Sequence, residues 1–148
     1  MIVQRLDQDD AGLLLKLNAL FGAVFEEEDT YGGNPPSADY LSRVLGRDEV
    51  VALAAIDSGE IVGGLVAYEL QKLEQERSEF YIYDLAVRED RRRMAVATAL
   101  IDELRSIAAA ANGWVVFVQA DHGDDPAIAL YTKLGRREDV LHFDIDVG

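Results

Sequence analysis

The chain has 148 residues, 49% hydrophobic and 28% charged, a composition that fits one globular domain spanning 1–148 and excludes disorder or a bilayer span of ~20 apolar residues. With 28 acidic against 14 basic residues the formal net charge is −14, a field that repels nucleic acid and anionic membrane and gathers cations. Cysteine is absent, which removes disulfides, a thiolate nucleophile and thiolate metal ligands; Met1–Arg5 lacks the charged-then-apolar pattern of a secretory leader, so a cytoplasmic setting is expected.

Ile2 to Leu6 reads as a short first strand. Asp9 or Asp10 can cap a helix whose apolar face is Leu13, Leu17, Leu20, Phe21 and Val24. Thr30 to Ser37, with Gly32-Gly33 and Pro35-Pro36, reads as a loop, and a short helix over 38–45 stops at Gly46. Val50–Ile56 and Ile61–Leu70 form two strands joined by the turn Asp57-Ser58-Gly59-Glu60. A polar connection, Lys72 to Arg77, precedes the strand Phe80–Val87.

A helix from about Arg93 to Ala111 follows, with Ala97, Leu100, Ile101, Leu104 and Ile107 on one face; Asn112-Gly113 ends it. Trp114–Val118 is the next strand. Asp125-Pro126 reads as a capping side chain followed by proline at a helix start. That helix buries Ala127, Leu130, Tyr131 and Leu134 and ends at Gly135, and a last strand runs from Val140 to Ile145. The consecutive central strands suit antiparallel hairpins, and the strand–helix–strand unit from Phe80 to Val118 suits a parallel pair with a right-handed crossover. The expected fold class is therefore α/β of the α+β type, a mixed, mostly antiparallel sheet flanked by helices.

Three features carry chemistry. The strand ending Leu85-Ala86-Val87 runs into Arg91-Arg92-Arg93 at a helix entrance, where unpaired N–H groups and the dipole favour an anion. Arginines there oppose the dipole unless an anion arrives, so the turn reads as the seat of a phosphate-bearing cofactor. Asp84 breaks the apolar alternation of its strand, sharing a face with Phe80, Ile82 and Ala86; it is either a carboxylate satisfied at a β-bulge or a base or anchor for a substrate amine. Tyr83 points to the opposite face by the same alternation. The acids cluster at 26–29, at Asp121 with Asp124-Asp125, and at Asp139, Asp144 and Asp146, which suits a polycationic substrate. His122 and His142 have no metal-ligand spacing, so no metal is expected.

Arg92-Arg93-Met94-Ala95-Val96-Ala97 after a strand, and Ala129-Leu130-Tyr131-Thr132-Lys133-Leu134-Gly135 later, resemble the GCN5-related N-acetyltransferase superfamily, which moves acetyl from acetyl-CoA to an amine. More closely, Ser78-Glu79, Tyr81 to Val87, Ala97-Thr98-Ala99-Leu100-Ile101, Gln119-Ala120-Asp121, Gly123 to Ala127 and His142 to Asp146 resemble the aminoglycoside 3-N-acetyltransferases of the gentamicin-modifying type. The resemblance implies direct transfer to the 3-amino group of an aminoglycoside, antibiotic resistance and a homodimer.

It also implies the site. Acetyl-CoA is held by Leu85, Ala86, Val87, Arg92, Arg93, Met94, Ala95, Val96, Ala97 and Thr98. Tyr131, which lies on an apolar stripe by spacing alone, becomes the acid for the leaving thiolate, and Asp84 the base or anchor. Glu79, Tyr83, Asp84, Asp121, Asp124, Asp144 and Asp146 contact the substrate. The family's usual glycine is Ala95 here; alanine adds only a methyl and tolerates helical dihedrals, so the cofactor is expected still to bind, more weakly. Other readings are an acetyltransferase for a polyamine or another small cation, and a non-catalytic acyl-CoA-binding module.

Overall fold

Alternating and β-branched runs pair with their sequence neighbours to give a five-stranded sheet in the order β1-β2-β3-β4-β5, built from Ile2–Arg5, Val50–Asp57, Glu60–Gln71, Ser78–Val87 and Gly113–Val118. The computed structural model describes residues 1–92 and 95–148. Within them the helices are α1 (Ala11–Phe25), α2 (Glu28–Gly32), α3 (Ala38–Leu45), α4 (Val96–Ala110) and α5 (Asp125–Leu134). The first three strand pairs are antiparallel and β4–β5 is parallel, with α4 as the crossover. Two compact units result, Met1–Val118 and Gln119–Gly148.

The β2–β3 turn lies where the Ser58-Gly59 pair places it, with both residues at positive φ, 53° and 80°, the backbone that suits a tight hairpin. In the first unit α1 and α3 cover one face of the sheet. Leu17 and Phe21 of α1 are fully buried there with Leu41, Leu45, Ala52, Ala54 and Ala86, each large side chain contributing about 1.5–3 kcal/mol. Gly64 makes that contact possible: a Cβ on it would run into the Leu17 side chain. On the opposite face α4 buries Val96, Leu100, Ile101, Leu104 and Ala108, and Val96 approaches Gly63.

Four expectations need correction. Part of the expected Thr30–Ser37 loop is helical, because the Tyr31 ring is wedged 5.9 Å from Phe21 and 5.8 Å from Phe25 and holds α2 on α1. Asp125 is not the cap of α5: the helix begins there, the cap is Asp124, whose carbonyl accepts the Ile128 N–H at 3.0 Å, and the Asp125 charge sits in the first turn. Ala127, Leu130 and Tyr131 are half-buried, whereas Leu134 is 44% exposed. The expected strand 140–145 belongs to a stretch, 136–148, with no helix or strand, since alternation sets an extended backbone but a strand also needs a hydrogen-bonded neighbour.

Candidate active site

The register of β3 against β4 slips between Val66 and Ala67: Val66 faces Asp84 while Ala67 faces Ile82, leaving Tyr83 as the extra residue of a bulge. Cross-strand partners in an antiparallel pair share a face. Gly64–Ala86, Val66–Asp84, Tyr68–Tyr81 and Leu70–Glu79 therefore lie on the α1 face, and Leu65–Leu85, Ala67–Ile82 and Glu69–Phe80 on the α4 face. Strict alternation had grouped Asp84 with Phe80 and Ile82; the bulge separates them, because one inserted residue turns the strand over. Tyr83 is likewise on the Asp84 side, not opposite it, with its ring 6.0 Å from Tyr68 and 5.7 Å from Tyr81.

Tyr81 in turn stacks on Phe117 at 4.7 Å. The result is an aromatic floor with one carboxylate at its edge. The Tyr31 hydroxyl donates to Asp84 Oδ1 at 2.7 Å. Burial raises the Asp84 carboxyl above its ordinary range, the Tyr31 hydrogen bond opposes that rise, and the Glu27 charge adds to it. The Tyr31 hydroxyl is itself pushed up, by burial first and then by its bond to Asp84, so it remains a donor. Burial and the Asp84 charge also raise Tyr68. A half-buried carboxylate with a hydrogen bond to one of its two oxygens can take a proton from, or anchor, a cationic amine laid on this face. Tyr31 escaped the sequence reading; an aromatic two turns beyond a phenylalanine-rich helix was the available signal, and it says nothing of Asp84.

Glu79 lies on the same face, but Lys72 Nζ stands 3.9 Å from its carboxylate. Tyr83 is 63% exposed. Two surface hollows, one including Arg5, Asp7, Arg47 and Asp48 and the other Leu13, Lys16 and Ile61, contain none of these residues.

Pairing of β4 with β5 stops at Ile82–Val118, so among the described residues the β4 edge from Tyr83 through Leu85, Ala86 and Val87 pairs with no strand on that side. Beyond it a 3-10 turn, Glu89–Arg91, leads to Ala95, the cap of α4, which offers no side-chain hydrogen bond. The N–H groups of Val96, Ala97 and Thr98 open the helix, and the first intrahelical bond runs from Ala99 N–H to the Ala95 carbonyl at 3.0 Å. This open strand edge and uncapped helix start fit the amide chain and pyrophosphate of acetyl-CoA. Arg92 folds back, its Nε donating to the Val87 carbonyl at 3.4 Å. Arg91 pairs with Asp57, whose carboxyl it holds below the usual range. Arg93 and Met94, expected at the same turn, lie outside the described residues.

Ala95 sits at φ 60°, ψ 17°, in the left-handed region and not in the helical one that alanine tolerates well. A Cβ is strained there, which is the physical reason for glycine at this point. Ala95→Gly is expected to stabilise the fold by about 1 kcal/mol, read as a higher Tm.

In the second unit, Asp121 and Asp124 flank the Gly123 turn (φ 92°) and are exposed. Burial, with a smaller push from Asp124, raises the Tyr131 hydroxyl to about 12, so it holds its proton at neutral pH. Asp144 Oδ1 accepts from the His142 Nε2–H at 2.8 Å, and Asp146 is exposed.

A mixed sheet that splays after the middle of β4, followed by an uncapped helix, is the acetyltransferase architecture. The acetyltransferase (GNAT) family model matches residues 17–135; the chain belongs to that family, whose members use acetyl-CoA. Among solved structures, an aminoglycoside acetyltransferase, HMB0005, from an uncultured soil metagenomic sample is 54% identical, with a TM-score of 0.97 over 99% of this chain and 98% of that one. Another from a soil metagenomic sample, meta-AAC0020 in complex with sisomicin, is 30% identical, with a TM-score of 0.91 over 99% and 96%. A ribosomal-protein-alanine N-acetyltransferase from Brucella melitensis biovar Abortus 2308, 20% identical with a TM-score of 0.74 over 99% of both chains, shares the fold. No curated protein sequence matches the chain.

Proposed function

We propose that this chain is a single catalytic domain that acetylates the 3-amino group of aminoglycosides by direct attack, without a covalent enzyme intermediate, and so confers resistance. The observation that carries the reading is Asp84, raised by burial and held by Tyr31 on an open tyrosine-lined face at the point where β4 leaves β5. Two similar structures are aminoglycoside acetyltransferases, one of them with sisomicin bound; the 3-position rests on the tract resemblance in the sequence.

Leu85, Ala86 and Val87 would align the cofactor's amide chain, and Arg92 through Thr98 its pyrophosphate, by the open edge and helix start described above. The bound cofactor supplies an acetyl thioester. Asp84 accepts the proton that the acceptor ammonium must lose, or fixes that amine in place. Tyr131 holds a proton suited to the departing sulfur. Glu79, Tyr83, Asp121, Asp124, Asp144 and Asp146 are proposed contacts for the remaining ammonium groups; exposed carboxylates are each worth under ~1 kcal/mol, so they act together. We also propose a homodimer working in the cytoplasm, with no metal, nucleic acid or membrane as partner.

The test is release of free CoA from acetyl-CoA with gentamicin, sisomicin, fortimicin and spermidine. Turnover on aminoglycosides supports the reading; turnover on spermidine alone moves the acceptor to a polyamine, and acetyl-CoA binding without turnover on any amine overturns catalysis. Tyr131→Phe should lower kcat roughly 10–100-fold while acetyl-CoA Kd by calorimetry stays within about twofold. An unchanged kcat removes Tyr131 from the chemistry.

A further inference from the structure

The chain that leads from β4 into α4 is gripped at both ends by one hairpin. At the entry, the Arg88 N–H donates to the Val62 carbonyl at 2.8 Å. The Arg88 guanidinium forks onto both Asp90 oxygens at 2.6 and 3.1 Å and reaches Glu60 Oε2 at 3.2 Å. Arg91 closes the 3-10 turn, its N–H on the Arg88 carbonyl at 2.9 Å, and its guanidinium binds Asp57. At the exit, Val96 opens α4 against Gly63, where a Cβ would stand only 3.0 Å from Val96 Cγ1.

Asp57, Glu60, Val62 and Gly63 all belong to the β2–β3 hairpin. Asp57 and Glu60 face each other across its Ser58-Gly59 turn, so a tight two-residue connection presents both carboxylates at one tip. By charge alone, two acids on the approach to an anion site oppose the anion. As exposed or part-buried ion pairs they also add little to the stability of the whole fold. What they do is set where the turn Glu89–Arg91 lies.

We propose that Asp57 and Glu60 are positioning residues for acetyl-CoA. Through Arg91 and Arg88 they fix the turn ahead of α4, so that the chain enters the helix with the Val96, Ala97 and Thr98 N–H groups open to the pyrophosphate. Neither acid touches the cofactor. With the entry and the exit both held on the hairpin, less of the chain has to be ordered on binding, and affinity rises by that saving. The role rests on the pyrophosphate lying at the start of α4, as proposed above for the catalytic domain.

Asp57→Asn with Glu60→Gln should weaken acetyl-CoA binding in calorimetry roughly 3–10-fold. Loss of two negative charges would by itself tighten the binding of a polyanion, so the sign of the change separates positioning from plain electrostatics. S-acetylpantetheine, which lacks the pyrophosphate, should bind parent and variant alike in an NMR titration. Without cofactor, the Arg88 and Arg91 amides should exchange faster in the variant, with Tm within about 3 °C of the parent. Asp57→Glu, which keeps a carboxylate for Arg91, should bind acetyl-CoA more tightly than Asp57→Asn. Unchanged or tighter acetyl-CoA binding, an equal loss with S-acetylpantetheine, or parental exchange at Arg88 and Arg91 overturns the positioning role. A parent that binds no acetyl-CoA overturns the cofactor seat itself, and the role with it.

Discussion

Asp84→Asn is expected to lower kcat for acetyl transfer by about 10²–10⁴-fold, the usual contribution of a positioned base, while acetyl-CoA affinity by calorimetry changes little. The carboxylate lies on the α1 face at a bulge, with Tyr31 donating to one oxygen, so the amide keeps the shape and loses the proton acceptor. Stability moves differently. Burial raises the folded-state pKa of Asp84, so its neutral form is favoured in the fold; that contribution is full below the unfolded pKa and is lost as pH rises through the folded one. At pH 7 the Asn variant should therefore melt no lower than the parent, and at acid pH the two should converge. A variant that loses activity and melts well below the parent at neutral pH would mark Asp84 as structural.

The companion change, Tyr31→Phe, removes a hydrogen bond that pulls the Asp84 pKa down. The acidic limb of the kcat/KM profile should then shift to higher pH, with turnover at alkaline pH largely kept. A limb that does not move places the titrating group elsewhere.

Gly64→Val is expected to cost about 3 kcal/mol, the upper part of the range for overfilling a packed interior, and roughly 10 °C in Tm for a chain of this size. The reason is local: a Cβ at Gly64 enters the space of the Leu17 side chain, which is 0% exposed. To make room α1 must lift from the sheet, and Tyr31 travels with it through Phe21 and Phe25. Leu17→Ala alone should cost 2–5 kcal/mol by leaving a cavity, but combined with Gly64→Val it should cost less than the sum, because each change relieves the other. Strict additivity in thermal melts would show that the two side chains do not compete for the same volume.

Much of the architecture was legible because its causes are local. The Ser58-Gly59 turn, the helix stop at Gly46 and the Asn112 break after α4 all rest on dihedrals within a few residues, and Asn112 does adopt a positive φ of 61°. The parallel β4–β5 pair follows from a helix of sufficient length between two apolar strands. The strand expected to end at Val87 does so, and the helix expected from about Arg93 begins at Val96. Ala95 adopts a left-handed backbone, which its residue type alone does not reveal.

The face on which Asp84 lies was decided by a bulge that no alternation rule anticipates, because one unpaired residue, Tyr83, depends on how β3 chooses its register. Its partner Tyr31 stands 53 positions earlier, in a single turn of helix held by two phenylalanine rings. Residues 140–145 show the converse: their pattern prescribes a strand, but a ladder needs a neighbour. Periodicity, turn residues and helix ends are written along the chain because they are short-range; register, side and pairing belong to the folded protein because they depend on contacts between distant segments.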